Sequence, residues 1–442
     1  MSGTLIGLIG FAVLLALLVW RVHIAMAMFM TGAGIYIVTN RGDLSGLLYT
    51  LNNLVYARAS NYDLAVIPLF ILMGQFATHG GLSKALFRAA GTLVGHWRGG
   101  IAMASTAACA AFAAICGSSL ATAATMGQVA LPELQERGYS GRLATGTLAA
   151  SGTLGILIPP SVPLVIYAVL TQESIGKLFV AALVPGIIAA VGYLLVIAII
   201  VRRDPASGPA GDKAGLGEVI RAQISILPVL LVFVVVIVGI YGGWANPTEA
   251  ASIGAAACGI LALVSGGMRT KGFLDSIYGT ACATGMIFMV LIGADLLNAS
   301  LALSQMPTEL ATWVQQSGMA PMLVLTIILI TFVLLGCVMD ALAMILLTIP
   351  IFYPMIMGLD FFGLSPSDKS IWFGILALMV VEIGLVTPPT GMNLFIINKQ
   401  AKGVPMKETI LGVVPFLVSD FIRIVLLIFF PVLCLGLLHY LE

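Results

Sequence analysis

The sequence predicts an all-α polytopic membrane protein that contains an inverted structural repeat, two re-entrant helical hairpins and two broken helices. Of the 442 residues, 60% are hydrophobic and only 9% are charged, and the mean hydropathy is +1.10. Apolar stretches long enough to cross a bilayer recur along the whole chain. Two of them contain a double proline, in "GILIPPSVPLVIY" at 155–167 and "GLVTPPTGMNLFI" at 384–396.

The predicted membrane segments follow the apolar runs. In the first half they are residues 4–20, 24–39, 64–78, 101–134, 143–170 and 178–201. In the second half they are residues 226–241, 247–265, 283–297, 321–357, 371–397 and 410–438. The first segment has neither a basic region before it nor a cleavage site after it, so we interpret it as a retained span. The near-neutral charge of +1 disfavours a nucleic-acid partner, and the six isolated cysteines are typical of packing residues.

The distribution of basic residues predicts the orientation. If the chain starts outside and the stretches at 101–134 and 321–357 return to the side they entered, 15 of the 20 Lys and Arg residues lie inside. A full crossing by either stretch would place the following basic clusters outside. We therefore predict a hairpin at about 101–137 that enters from inside, a hairpin at about 321–357 that enters from outside, and both termini on the outer side.

Matched motifs divide the chain into two repeats. "ILMG" ends at Gly74 and "VLIG" at Gly293, and a second glycine motif follows each of them after 43 residues, at Gly117 and Gly336. The two double prolines and the later "LVPG" and "VVPF" come in the same order. We expect a first repeat at 1–203 with a broken helix at 143–170, a cytoplasmic linker at 204–222, and a second repeat at 223–442 with a broken helix at 371–397.

The double prolines predict two helix breaks at the depth of the membrane. Proline removes a backbone donor and clashes with the preceding turn, so two in succession end a helix. In lipid, such backbone is tolerated only where it is buried in protein or lines a cavity. Paired discontinuous helices in inverted repeats place substrate and ion sites near the midplane.

Hydroxyl groups and carbonyls at these breaks are typical ligands of sodium. The predicted sodium ligands are Ser118, Ser119, Thr122, Gly155 and Pro159 in the first half, and Gly336, Asp340, Thr387, Pro388, Gly391 and Asn393 in the second. The predicted substrate contacts are Ser119, Thr122, Ser161, Asp340 and Thr390. The alternatives are that the small residues serve close helix packing, and that Asp340 caps a helix rather than binding an ion directly.

Other intramembrane charges are weaker candidates. Asp420 and Arg423, three residues apart, are predicted to pair with each other in a structural or subunit-interface role. Glu382 and Asp295 are minor candidates for the transport site. The predicted break segments contain no basic residue beside the double prolines, so the charge of an anionic substrate would be met by bound cations and helix N-termini.

The motifs "CGSSLATAATMG", "GILIPPSVPLVIY", "GCVMDALAM" and "TPPTGMN" resemble the large membrane subunit of the tripartite ATP-independent periplasmic (TRAP) transporters. The resemblance covers essentially the whole chain. It implies an elevator-type ion-transporter fold in the bacterial inner membrane and sodium-coupled uptake of a small organic acid. It also implies a small membrane subunit, expected as a separate chain, and a periplasmic substrate-binding protein. The family includes transporters for dicarboxylates and sialic acid.

Two alternatives come from other classes. A single-component ion-coupled carrier would work without a binding protein. An intramembrane aspartyl protease would need two facing aspartates, and "GADLL" at Gly293 offers one, so we expect a transporter rather than an enzyme.

For the elevator movement, residues 81–95 and 304–318 are predicted to be amphipathic arms. Spans 4–39 and 178–201, with 226–265 and 410–438, are predicted to form the fixed scaffold.

Overall fold

The structure is a computed structural model that describes residues 2–264 and 266–441. Within these residues every regular element is helical. The helices of the first half are α1 (Gly3–Val19), α2 (Ile24–Thr39), α3 (Ser45–Ala59), α4 (Val66–His79), α5 (Leu82–Val94), α6 (Gly100–Cys116), α7 (Ser119–Glu136), α8 (Gly141–Gly152), α9 (Leu154–Leu157), α10 (Val162–Thr171) and α11 (Ile175–Arg203).

The second half again has a hairpin followed by a broken helix, but its described residues contain no separate counterpart of α3. Its helices are α12 (Leu216–Tyr241), α13 (Pro247–Val264), α14 (Thr270–Leu303), α15 (Met306–Gln316), α16 (Pro321–Gly336), α17 (Ala341–Met357), α18 (Pro366–Val386), α19 (Met392–Gln400), α20 (Met406–Phe429) and α21 (Val432–Leu441). Seven helical segments of the described chain are long and apolar enough to cross a membrane, or eight if a bent pair formed by Tyr62–His79 and Leu82–Val94 counts as one.

The predicted hairpins and broken helices are confirmed. Helices α6 and α7 pack on each other and form hairpin 1, and α16 and α17 form hairpin 2. The first broken helix runs from α8 to α10 and the second from α18 to α19. Two features were not predicted. Helix α3 lies in a stretch without a predicted span, and α14 has 34 residues because it continues past its apolar centre.

The first spans of each half form one packed group, which we call the outer body: α1 to α4 and α12 to α14. Helix α2 packs along α14, and α13 packs along α4, so each half pairs with the other. Small residues make this close approach possible. A Cβ atom on Gly32 would lie 2.8 Å from the Leu297 nitrogen, and one on Gly293 would lie 2.7 Å from the Ala25 carbonyl oxygen.

The hairpins and broken helices form the second group, the hairpin body: α6 to α11 and α16 to α21. The broken helices cross between the hairpins. Helix α8 packs on hairpin 1 and α10 on α17, whereas α18 packs on hairpin 2 and α19 on α7. The ends of each broken helix therefore contact hairpins of different halves.

The prediction that residues 178–201 and 410–438 belong to the scaffold is wrong. Helix α11 packs on α20, α21, α18 and α6, and α20 packs most extensively on α8. Both helices are thus part of the hairpin body. The sequence did not show this because lipid and protein interior are equally apolar, so hydropathy does not distinguish the neighbours of a membrane helix.

Three connections join the two bodies. The predicted arms are confirmed as helices: α5 lies against α12 and α6, and α15 lies against α1 and α17. The third connection, residues 204–215, follows the base of hairpin 1. There the backbone N–H groups of Gly99 and Ser140 donate to the carbonyls of Gly208 and Ser207, each at 2.9 Å.

Candidate functional site

The tip of hairpin 1 rests directly on the first helix break. Gly117 ends α6 with φ +62°, a conformation that favours glycine, and a Cβ atom there would lie 2.8 Å from the Pro160 carbonyl oxygen. A Cβ atom on Gly155 would lie 2.5 Å from the Ser118 carbonyl oxygen. The structure therefore brings together Ser118, Gly155 and the double proline, as the first set of predicted sodium ligands requires.

A pocket of about 220 Å³, partly open to the surface, separates the tips of the two hairpins. Both bodies contribute to its walls. From the hairpin body come Cys116, Gly117, Ser118, Ser119, Leu120, Ala121, Ile156, Val162, Pro163, Asp340, Ala341, Leu342 and Leu385. From the outer body come Ile71, Gly74, Gln75 and Thr78 of α4, and Ala283, Met286 and Ile287 of α14.

The electrostatics of this pocket come from helix ends and one carboxylate. The first residues of α7, α10 and α17 all line it, and helix N-termini attract anions. Ser118 caps α7, and Asp340 occupies the N-cap position of α17. None of the described lining residues is Lys or Arg. An anion in this pocket would therefore meet one aspartate and three helix ends without a basic side chain.

Buried oxygen atoms without hydrogen-bond partners surround the first break. Thr122 and Ser161 are fully buried, and neither hydroxyl has a partner within the described part of the chain. Ser119 is also buried, with 2% of its surface exposed. Buried polar atoms are normally satisfied, so unsatisfied oxygens at a helix break fit the ligands of a small cation.

The second set of predicted ligands is divided in space. Gly336 of hairpin 2 packs on α18, where a Cβ atom on Gly384 would lie 2.6 Å from the Gly336 Cα. Thr387 donates its hydroxyl to the Ile383 carbonyl at 2.6 Å. Pro388 and Thr390 are exposed, and Gly391 starts α19 with φ +40°.

Asn393 lies on the side of the first half. Its Nδ2 donates to the Ala149 carbonyl in α8 at 3.4 Å, and its Oδ1 is buried without a partner in the described residues. This placement follows from the crossing of the broken helices, which sets α19 against α7 and α8. Asn393 therefore contributes a further free oxygen beside α8 of the first broken helix.

Sequence reasoning missed the pairing of Asp295 and the pocket walls from α4 and α14. Asp295 forms a two-pronged ion pair with Arg58 of α3, in which Arg58 Nη2 donates to Oδ1 at 2.6 Å and Nε to Oδ2. The pair lies at the junction of α3 and α14. The only signal in the sequence was an intramembrane aspartate, because the two residues are 237 positions apart.

The prediction that Asp420 and Arg423 pair with each other is confirmed, with Arg423 Nη2 2.9 Å from Asp420 Oδ1. The expectation that they remain available to a small partner subunit is wrong. Both side chains point into the hairpin body, with 2% and 3% of the residue surface exposed. The physical reason is that α20 belongs to this body and turns its charged positions away from lipid.

Comparisons with known proteins agree with this fold. The family model described as "Tripartite ATP-independent periplasmic transporter, DctM component" matches residues 11–433. The chain belongs to this family. The large permease protein of a C4-dicarboxylate TRAP transporter from Pseudomonas aeruginosa is 36% identical, over 88% of each chain. That of a sialic acid TRAP transporter from Vibrio cholerae is 30% identical, over 84% of this chain and 85% of the relative.

A solved structure shares the architecture. The crystal structure of the Alcanivorax borkumensis YdaH transporter, reported to have an unusual topology, superimposes with a TM-score of 0.66 at 14% identity, over 95% of this chain and 98% of that chain. The fold is therefore shared at low sequence identity. As a member of the DctM family, this chain is a polytopic membrane transport protein and not an enzyme.

Proposed function

We propose that this chain takes up a small organic acid by sodium symport, with substrate bound in the pocket between the two hairpin tips. The observation that carries the proposal is the chemistry of that pocket. It offers three helix N-termini to an anion, contains the Asp340 carboxylate, and has no lining Lys or Arg among the described residues. The negative charges of a carboxylate substrate and of Asp340 repel each other, so such a substrate needs bound cations that offset this repulsion.

The buried oxygens at the first break supply a place for such a cation. Thr122, Ser161 and Asn393 each present an oxygen without a partner among the described residues. Ser118, Ser119, Gly155 and Pro159 belong to the same proposed site. Gly336, Asp340, Thr387, Pro388 and Gly391 are proposed for a second site. Ser119 and Asp340 line the pocket and are proposed for substrate contact, whereas the other predicted contacts, Thr122, Ser161 and Thr390, are not among its lining residues.

Membrane potential then contributes to uptake. Each net positive charge carried inward gains about 2.3 kcal/mol per 100 mV. The sequence has no GxxxxGK[ST] motif for a nucleotide. Because a relative transports C4-dicarboxylates, small dicarboxylates are the first substrates to test, followed by sialic acid.

We further propose that the hairpin body moves across the membrane against the outer body, in an elevator movement. Its support is the division of the pocket walls between the two bodies, which only α5, α15 and residues 204–215 connect along the chain. We place the protein in the bacterial inner membrane with both termini periplasmic. The partners are a small membrane subunit, bound to the outer body, and a periplasmic binding protein that delivers substrate.

Reconstitution tests the coupling. Proteoliposomes that contain this chain and its small subunit, supplied with substrate-loaded binding protein, should accumulate radiolabelled dicarboxylate only with an inward sodium gradient. Replacing sodium by potassium is the matched control. Uptake of equal size in both salts would overturn sodium coupling. Full uptake without the binding protein would support the alternative, a single-component carrier.

Cross-linking tests the movement. After replacement of the native cysteines, Leu120→Cys in hairpin 1 and Met286→Cys in α14 place one thiol on each body, and both residues line the pocket. Cross-linking should stop uptake, and a reductant should restore it, while each single variant stays active. Uptake that continues with the pair fully cross-linked would contradict the movement.

A further inference from the structure

A buried polar cluster inside the hairpin body has no role in the proposed sodium or substrate sites. Its members come from three long helices and the first broken helix: Thr153, Tyr193 of α11, Glu382 of α18, and Asp420 and Arg423 of α20. Each exposes 3% of its surface or less. Charged side chains are rarely buried this deeply in a membrane protein unless they have a function or a partner.

Asp420 has two close neighbours, although within the described residues neither its Oδ1 nor any Arg423 nitrogen meets the geometry of a hydrogen bond. Arg423 Nη2 lies 2.9 Å from its Oδ1, and the Tyr193 hydroxyl donates to its Oδ2 at 2.9 Å. The Thr153 Oγ1 lies 3.0 Å from the Tyr193 hydroxyl, so the cluster extends to the junction of α8 and α9. One carboxylate and one guanidinium thus form a neutral pair supported by a phenol.

Glu382 has no such close side-chain neighbour in the part of the chain that the structure describes. No side chain within residues 2–264 and 266–441 forms a hydrogen bond to its carboxyl oxygens, and no cation there lies within ion-pair distance. The groups that face it are Arg423 and Asp420 of α20, the Ile156 backbone of α9 and, through the same pair, Tyr193 of α11. The cluster therefore contains two carboxyl groups for one guanidinium.

We propose that Glu382 is a proton-binding site, so that the carboxylate takes one proton from water and the cluster of Glu382, Asp420 and Arg423 is neutral. An unpaired carboxylate in a buried site is costly enough that such a group takes up a proton instead. A proton fits this site better than sodium does. It needs no cavity and no ring of oxygens, and the Arg423 guanidinium repels a metal ion.

The position of Glu382 connects the proton to the second break. Glu382 lies in the last turns of α18, five residues before Thr387, where that helix ends. Because Glu382 is 1% exposed, a proton can enter or leave only when water reaches its carboxyl group. Glu382 is not itself among the proposed sodium ligands, so the infrared measurement of its proton does not depend on the outcome of the sodium-coupling experiment.

Infrared spectroscopy of the full-length chain in lipid tests the proposal, because protonated and ionised carboxyl groups absorb at different frequencies. At pH 7 the wild-type protein should show the carbonyl band of a buried carboxylic acid. Growth on glutamate labelled with ¹³C in the side-chain carboxyl should shift the whole band. Glu382→Gln should remove it, and Glu136→Gln, an exposed change in α7, should leave it intact.

A wild-type spectrum without such a band would overturn the proposal. So would a band that the label does not shift, because the proton would then be on an aspartate, or a band that survives in Glu382→Gln. The labelled wild-type measurement decides the matter even if the variant does not fold.

Discussion

Gly155 of the first broken helix lies against the backbone of Ser118 at the tip of hairpin 1, so closely that a Cβ atom would stand 2.5 Å from the Ser118 carbonyl oxygen. The contact joins two elements that the sequence marks separately, a glycine turn and a double proline. It fixes the tip of the hairpin over the carbonyls that the break leaves free.

Gly155→Ala should separate the hairpin tip from the break. The atoms nearest to the new methyl group belong to the backbone, so they cannot avoid it by a change of rotamer. We therefore expect the free energy of unfolding to fall by about 1–3 kcal/mol. Sodium-driven uptake should fall more than the amount of folded protein. Gly34→Ala in α2 is the control, since a Cβ there meets nothing within 4 Å. Equal uptake by the two variants would show that the contact is not needed.

Thr122→Val distinguishes a sodium ligand from a packing residue. The change keeps the side-chain shape and removes an oxygen that has no partner among the described residues. If Thr122 binds sodium, the concentration for half-maximal uptake should rise by about tenfold, a loss of about 1.4 kcal/mol. If it only packs, removal of an unsatisfied hydroxyl should be neutral or stabilising. Thr326→Val on the exposed side of α16 is the matched control.

Asp340→Asn removes the one charge among the described pocket residues and keeps the shape of the side chain. We expect sodium-dependent uptake to fall by about tenfold or more, since the proposed second site loses its carboxylate. Asp360→Asn, in an exposed loop after hairpin 2, should transport normally. If Asp340→Asn kept both its uptake and its sodium dependence, Asp340 would serve only at the helix N-cap position.

The pair of Arg58 and Asp295 should stabilise the junction of α3 and α14. Arg58→Ala leaves a carboxylate of which 8% is exposed without its partner, and should lower thermal stability more than the double change with Asp295→Ala. A double-mutant cycle should give a coupling of about 1–3 kcal/mol. Strictly additive losses would mean that the ion pair contributes nothing measurable.

Local features could be predicted from the sequence because their causes are local. A double proline breaks a helix wherever it stands, which is why 143–170 and 371–397 were predicted as broken helices and are confirmed. The hairpins were predicted from the distribution of Lys and Arg residues between the two sides of the membrane. The start of α13 is local in the same sense, because Asn246 and Glu249 each donate a backbone N–H to the other's side chain.

Only the tertiary structure decided which elements are neighbours. It placed α11 and α20 in the hairpin body, set Asn393 beside the first half rather than the second, and gave Asp295 a partner from α3. It also left Glu382 unpartnered beside an ion pair, within the described residues. The physical reason is that a membrane helix is apolar towards both lipid and protein. Hydrophobic periodicity identifies the buried face of a soluble helix, but in a membrane helix it does not distinguish the lipid-facing side from the protein-facing side.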